Sequence, residues 1–197
     1  MRQDATEWAQ VEFGGAPGLE KRLRDRLVST AAALAARPSG SLPDRFTWAE
    51  LKAAYRLFDR AAADPEAIQA VHRARTIDRL RATRGPALIV HDGTVLTYTH
   101  HPAVRDQLGP VTDSAARGFI QHNSLAVDPE RGELLGLVGQ QTFCRQLQPA
   151  GERRSDRYYR PDRESRVWID GVRAAGRAPG GACWVHGSIS LQVSLQE

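Results

Sequence analysis

Asp92 stands out among the acidic residues of this 197-residue chain because of what precedes it. Ala87-Leu88-Ile89-Val90 is a continuous apolar run with β-branched residues, the pattern of a strand buried on both faces. The spacing predicts that this strand stops at Asp92-Gly93 and that a second passes through Val95, Leu96 and Tyr98. A carboxylate at the end of a buried strand is held rigidly beside low-dielectric protein, where it recruits a cation, often divalent, or simply lies at the surface. Asp-Gly is also a common turn pair, so residue types alone leave both roles open. His91, His100 and His101 are close by in sequence. In an extended chain His91 alternates away from Asp92, and His100 and His101 point opposite ways, which argues against a zinc cluster. There is no nucleophile elbow, phosphate-binding glycine loop or paired-Cys metal knuckle.

A second chemistry is carried by cations in helical register. Arg22 and Arg26 are one turn apart, and Lys52, Arg56 and Arg60 follow at i, i+4 and i+8, with Tyr55 beside them. Residues 1–85 hold 15 Lys or Arg against 11 Asp or Glu, whereas residues 86–197 hold 12 of each, so the surplus lies wholly in the first part. Nearly all of it is Arg, which grips phosphates and guanine edges in a bidentate way. Rows of charge also occur on plainly solvated helix faces. Nucleic acid and solvent are the two readings of these rows.

The elements that must position these groups fall into two blocks. Trp8 and Phe13 mark a short amphipathic segment, broken at Gly14-Gly15. Leu23, Leu27, Thr30 and Leu34 predict a helix from Leu19 to about Arg37. Thr47-Trp48-Ala49-Glu50 reads as a capping box that starts a second helix, with Trp48, Leu51, Tyr55, Phe58 and Ala62 as its apolar stripe. Asp64-Pro65 starts a third, running to about Thr83. Gly85-Pro86 marks the change to strands. A hairpin follows, Phe119 to Val127 and Glu133 to Phe143 around a turn at Asp128–Gly132. Residues 145–163 read as an exposed polar loop, Glu164 to Ala175 as a short helix, and Ala182 to His186 as a brief strand. No run of apolar residues is long enough to span a membrane. The N-terminal residues lack an apolar signal core, so a cytoplasmic location is expected. Cys144 and Cys183 have no motif spacing and read as packing residues.

The expected architecture is therefore α+β or α/β: a small helical domain at 1–85, then three early strands, a helix and a parallel strand at 86–197. The helices with basic faces suit a DNA-reading module. That strand order suggests a layer of the ribonuclease-H type.

Trp8-Ala9, Arg22 to Leu34 and Ala54-Tyr55-Arg56-Leu57-Phe58 resemble the end-binding domain of transposon-five-like DDE transposases, members of the insertion-sequence-four family. The resemblance continues through Ala87 to Thr94, Arg117-Gly118, His122, Gly136-Leu137-Val138 and Glu164-Ser165-Arg166-Val167-Trp168, and so covers roughly Trp8 to His186. It implies a ribonuclease-H-like catalytic domain in which three carboxylates hold two Mg²⁺ ions, typically about 3.5–4 Å apart, that activate the attacking oxygen and stabilise the leaving one. It makes Asp92 the first catalytic carboxylate and a metal ligand. It likewise implies that Arg22, Arg26, Tyr55 and Arg56 lie on the face that grips double-stranded DNA at the terminal inverted repeats of a transposon, and Lys52 and Arg60, in the same row of cations as Arg56, are expected to bind DNA with them.

The sequence also departs from the family. The strand Cys183-Trp184-Val185-His186 should run into the second catalytic Asp, but Gly187-Ser188 follows, and no Asp occurs after Asp170. The segment that would carry the third carboxylate is absent. The expectation is a truncated DDE transposase with an incomplete ribonuclease-H-like sheet, which binds DNA ends without strand transfer. Two alternatives remain: a repressor that occupies the ends or joins a full-length transposase relative, and a metal-dependent nuclease drawing further ligands from Glu152, Asp156 or Asp162.

Overall fold

The computed structural model describes residues 4–100, 102–111, 115–146, 149, 151–160, 165–178 and 182–188. The chain divides into two compact units, one up to Arg75 and one from Thr76 onward.

The first unit is helical: α1 (Ala5–Phe13), α2 (Lys21–Ala36), a single turn α3 (Leu42–Arg45), α4 (Trp48–Phe58) and the first part of α5 (Pro65–Ala82). Local chemistry sets the helix starts. Asp4 accepts from the Thr6 amide ahead of α1. Thr47 and Glu50 form the expected capping box at α4, with Thr47 N donating to Glu50 Oε2 at 2.8 Å. The expected apolar spacing of α2 is realised: Leu23, Leu27 and Thr30 are buried, and Leu34 packs partly buried against Phe46, Leu51 and Ala54. Leu57 of α4 joins Leu23 and Leu27 in the main helical core, with Phe13, Ala63, Ile68 and Val71 closing over it.

A carboxyl–imidazole pair lies inside this unit. Glu12 on α1 is fully buried, and His72 Nδ1 donates to its Oε2 at 2.6 Å while the imidazole stacks on Phe13. A buried carboxylate needs such a donor, because leaving it bare costs several kcal/mol in effective terms.

The second unit is a mixed sheet with helices. Its strands are β1 (Ala87–Thr97), the two-residue β2 (Gly109–Pro110), β3 (Arg117–Asp128), β4 (Glu133–Phe143) and β5 (Trp184–Ser188). β1 is central, antiparallel to β3 on one side and parallel to β5 on the other, while β2 and β4 pair with β3. The hairpin falls where expected. Asp128 Oδ1 accepts from the amides of Glu130 and Arg131, and Gly132 takes the positive φ of 64° that ends the turn. Ile89, Ala126 and Val138 form the buried face of the sheet, covered by Ile77 and Leu80 from the end of α5 and by Ala175 from α7 (Ser165–Ala175).

Three expectations are corrected. The chain does not stop at Asp92-Gly93: β1 runs unbroken through both, because Gly93 takes no positive φ and register with β3 continues from Leu88↔Val127 to Thr97↔Gly118. Cross-strand pairing outweighs the turn preference of that dipeptide. The polar connection after Thr97 contains a 3₁₀ turn at Pro102–Gln107 and β2. The segment read as a loop holds a short helix, α6 (Arg154–Tyr159).

Candidate nucleic-acid interface and the Asp92 strand

The apolar stripe of α4 differs from its expected one. Leu51, Ala54 and Leu57 are buried, whereas Trp48 is 70% exposed, Tyr55 52% and Phe58 56%. The reason is steric and tertiary. The side of α4 that carries small Ala54 fits against Ala33 and Leu34 of α2, and Leu57 reaches the Leu23–Leu27 core. The helix is therefore rotated away from the pattern that its largest side chains imply.

The rotation has a chemical consequence. At about 100° per residue, Tyr55, Trp48, Lys52 and Arg56 follow one another around α4 in steps of about 20°, 40° and 40°. All four are exposed, so aromatic surface and two cations form one continuous outward arc. Lys52 Nζ sits 4.8 Å from the centroid of the Trp48 ring, a cation–π contact that steadies both. Phosphates attract the cations, while the rings offer apolar edges to sugars and bases. Spacing had not marked Trp48 and Phe58 as surface groups; the signal available was that Ala54 and Leu57 form a second, narrower stripe.

The remaining expected DNA contacts are scattered. Arg22 is exposed on α2 and Arg26 half-buried one turn later. Arg60 is exposed, but α4 ends at Phe58 with Asp59 as its C-cap, so Arg60 is not on the helical row with Lys52 and Arg56. The Arg60 amide bonds to Leu57 O as the chain turns away.

In the sheet unit Asp92 lies in the middle of β1, opposite Asn123 of β3, and is half-buried. Asn123 Oδ1 accepts from Gln121 Nε2 at 3.1 Å and Gln140 Nε2 at 2.8 Å, so the surroundings of Asp92 are amides rather than carboxylates. On β5 the register places Gly187 beside Val90, on the same face as Asp92, and a Cβ there would meet nothing within 4 Å. Among the described residues no group of three or more His, Cys, Asp or Glu could hold a metal ion. This donor set does not fit the two-Mg²⁺ centre that the family resemblance implies. Glu152 pairs with Arg160 at 3.4 Å, and Asp156 accepts from the Arg153 amide at the start of α6. Asp162 lies outside the described residues.

The histidines gather on the opposite face, under α7. His91 is bonded at both nitrogens, Nδ1 2.9 Å from Ser124 Oγ and Nε2 3.0 Å from His186 Nδ1. Its ring stacks between His122 and His186, and Trp168 packs edge-on against His91 and His122. Burial, reinforced by the other two imidazoles, pushes His91 down to about 4; burial also lowers His122, against a smaller opposing pull from Asp92, and His186. Gly171 lets α7 approach this cluster, since a Cβ there would lie 2.9 Å from His122 Nε2 and 3.0 Å from His91 Nδ1 and Ser124 Oγ.

A small helical unit with an outward basic and aromatic arc has the electrostatic footprint expected of a DNA-contacting helical domain. Residues 5–63 match the family model described as Transposase DNA-binding, a span that takes in α1 to α4. The helical unit is thus similar to the DNA-binding domain of transposases, and DNA is its partner. Among the described residues no helix is long and apolar enough to cross a membrane.

Proposed function

We propose that this chain binds double-stranded DNA at the terminal repeats of a transposable element through its helical unit, in the manner of insertion-sequence-four transposases. The observation that carries this reading is the match over residues 5–63 together with the exposed arc Tyr55–Trp48–Lys52–Arg56. Arg22, Arg26 and Arg60 supply further phosphate contacts.

We read the sheet unit as a ribonuclease-H-like layer of the DDE type. Three features support this: the antiparallel set β1, β3 and β4, a parallel β5 beside β1, and Asp92 within the central strand. Asp92 keeps the place of the family's first carboxylate, while Gly187 stands where the resemblance puts the second. One carboxylate among amides does not hold two divalent ions, so these residues bind ends without cutting or joining them. Occupying an end in this way denies it to an active transposase relative, which is repression.

The test is binding of the purified chain to the terminal repeat and to scrambled duplex across a salt series. Log affinity should fall with log salt at about −0.9 per phosphate contact. The repeat should bind at least about tenfold tighter, equal to about 1.4 kcal/mol, and Arg56→Ala should remove that preference. Equal affinity for the two duplexes would overturn the reading. Mg²⁺-dependent nicking by the chain, abolished in Asp92→Asn, would overturn the repressive part alone.

A further inference from the structure

Helix α4 carries more aromatic surface than its core contacts use. Its buried residues are Leu51, Ala54 and Leu57, while Trp48 is 70% exposed, Tyr55 52% and Phe58 56%. At about 100° and 1.5 Å per residue, the three rings fall within about 80° of arc, and Trp48 and Phe58 stand about 15 Å apart along the axis. Exposed Lys52 and Arg56 follow on the other flank of Trp48, so a stripe of rings runs beside a stripe of cations. The Lys52 ammonium, 4.8 Å from the Trp48 centroid, holds the indole against the helix as an ordered edge. Residues 48–60 contain two carboxylates, Glu50 and Asp59. Glu50 lies about 160° around the helix from Trp48, and it accepts from the Thr47 amide and hydroxyl at 2.8 Å. Asp59 is exposed at the C-cap against three exposed cations, Lys52, Arg56 and Arg60, so this surface keeps a net positive charge.

Phosphate answers the cations, but the rings need a different ligand. Phe58 has no hydrogen-bonding side-chain atom and Trp48 has only the indole N–H, so neither matches the donors and acceptors that line most base edges. The apolar group that duplex DNA presents in its major groove is the thymine C5-methyl, and that groove is wide enough for an α-helix. The stripe is about four base steps long at about 3.4 Å per step, so rings at its two ends meet separate base pairs. We propose that Trp48 and Phe58 read thymine methyl groups in the major groove, at positions that the cations of α4 bring within reach. This rests on the reading that the helical unit binds duplex DNA, and it adds which base is recognised and by which side chains.

The experiment uses the full chain and two duplexes, the terminal repeat and a scrambled sequence of the same composition, each made with thymine and with deoxyuridine. Deoxyuridine lacks the C5-methyl and keeps the Watson–Crick edge and every phosphate. The parent should bind the thymine repeat at least about fourfold tighter than its deoxyuridine form, the worth of about one buried methyl. Replacing Trp48 and Phe58 together by Ala should weaken binding to the thymine repeat and make the two forms equal, with circular dichroism confirming the helices. Arg22→Ala, which removes a phosphate contact, should weaken both forms alike, lower the salt slope by about 0.9 and leave their ratio unchanged. An Ala pair that keeps the parent's ratio overturns the assignment, since the stiffness of the DNA rather than the rings would then set it. A parent that prefers the repeat over scrambled duplex but ignores the methyl groups overturns this inference alone. A parent that tells thymine from deoxyuridine in both sequences, without preferring the repeat, overturns the terminal-repeat reading and leaves this one standing.

Discussion

The α4 arc and the histidine cluster of the sheet unit treat their titratable side chains in opposite ways. In the helical unit the groups proposed for recognition face outward: Lys52, Arg56 and Arg22 are exposed, beside exposed Trp48 and Tyr55. In the sheet unit His91 and His122 are buried beneath α7 and Trp168, where burial holds them neutral. Exposed cations cost little to keep charged and are free to release counterions when phosphate arrives. Buried His91 is bonded by His186 and Ser124, and His122 stacks on its ring. The lesson is that clustering of potential ligands does not make a site. The histidine cluster looks chemically richer than the α4 arc, yet the arc is the part open to solvent.

That contrast can be broken first at the core. Ile89→Ala removes a side chain with no exposure at the centre of β1 and should destabilise the sheet unit by about 2–5 kcal/mol. Chemical denaturation followed by circular dichroism measures this; preference for the terminal repeat should persist wherever the protein remains folded. A loss of preference at unchanged fold would show that recognition is not confined to the helical unit.

Acid is the next lever. His91, lowered to about 4, and His72, His122 and His186, also lowered by burial, resist protonation in the folded chain. The unfolded chain takes up those protons near pH 6.5, so stability is full above that value and falls as pH drops toward about 4. Each histidine contributes at most about 1.4 kcal/mol per pH unit within its window. Melting temperature measured from pH 8 to pH 4 should decline below 6.5, and stability that rises on acidification would refute the neutral assignment.

Gly171→Ala comes third. Its new Cβ would press on His122 Nε2, His91 Nδ1 and Ser124 Oγ, and overpacking of this kind costs about 1–3 kcal/mol, against about 1 kcal/mol gained from helix propensity. A net loss in denaturant midpoint is expected. The smallest effect belongs to the helical surface. Lys21→Ala breaks an exposed ion pair with Asp25 at 2.7 Å and should change stability by less than about 0.5 kcal/mol. A larger change would mean that the surface of α2 is more tightly coupled to its core than its exposure implies.

Much of the element order was legible because short-range chemistry writes it. The Thr47–Glu50 box, the Asp64-Pro65 start, the Leu23–Leu27–Thr30 spacing and the Asp128–Gly132 turn each depend on residues within a few positions of one another. The parallel final strand was legible too, since a helix between strands forces a crossover. By contrast, α6 escaped notice because six residues are too few to show a period.

What the amino-acid order determined by itself is therefore where helices begin, where the hairpin turns and where the positive charge accumulates. Only the tertiary structure decided which side of α4 faces solvent, because that depends on how closely Ala54 and Leu57 fit a partner helix. Only it carried β1 straight through Asp92-Gly93, since the bonds to β3 that overrule the turn come from residues some thirty positions away. Only it sank Glu12 against His72, a pair sixty residues apart that local spacing has no means to announce. Local periodicity reports how a segment is built; long-range packing chooses which of its faces the solvent, and the DNA, will see.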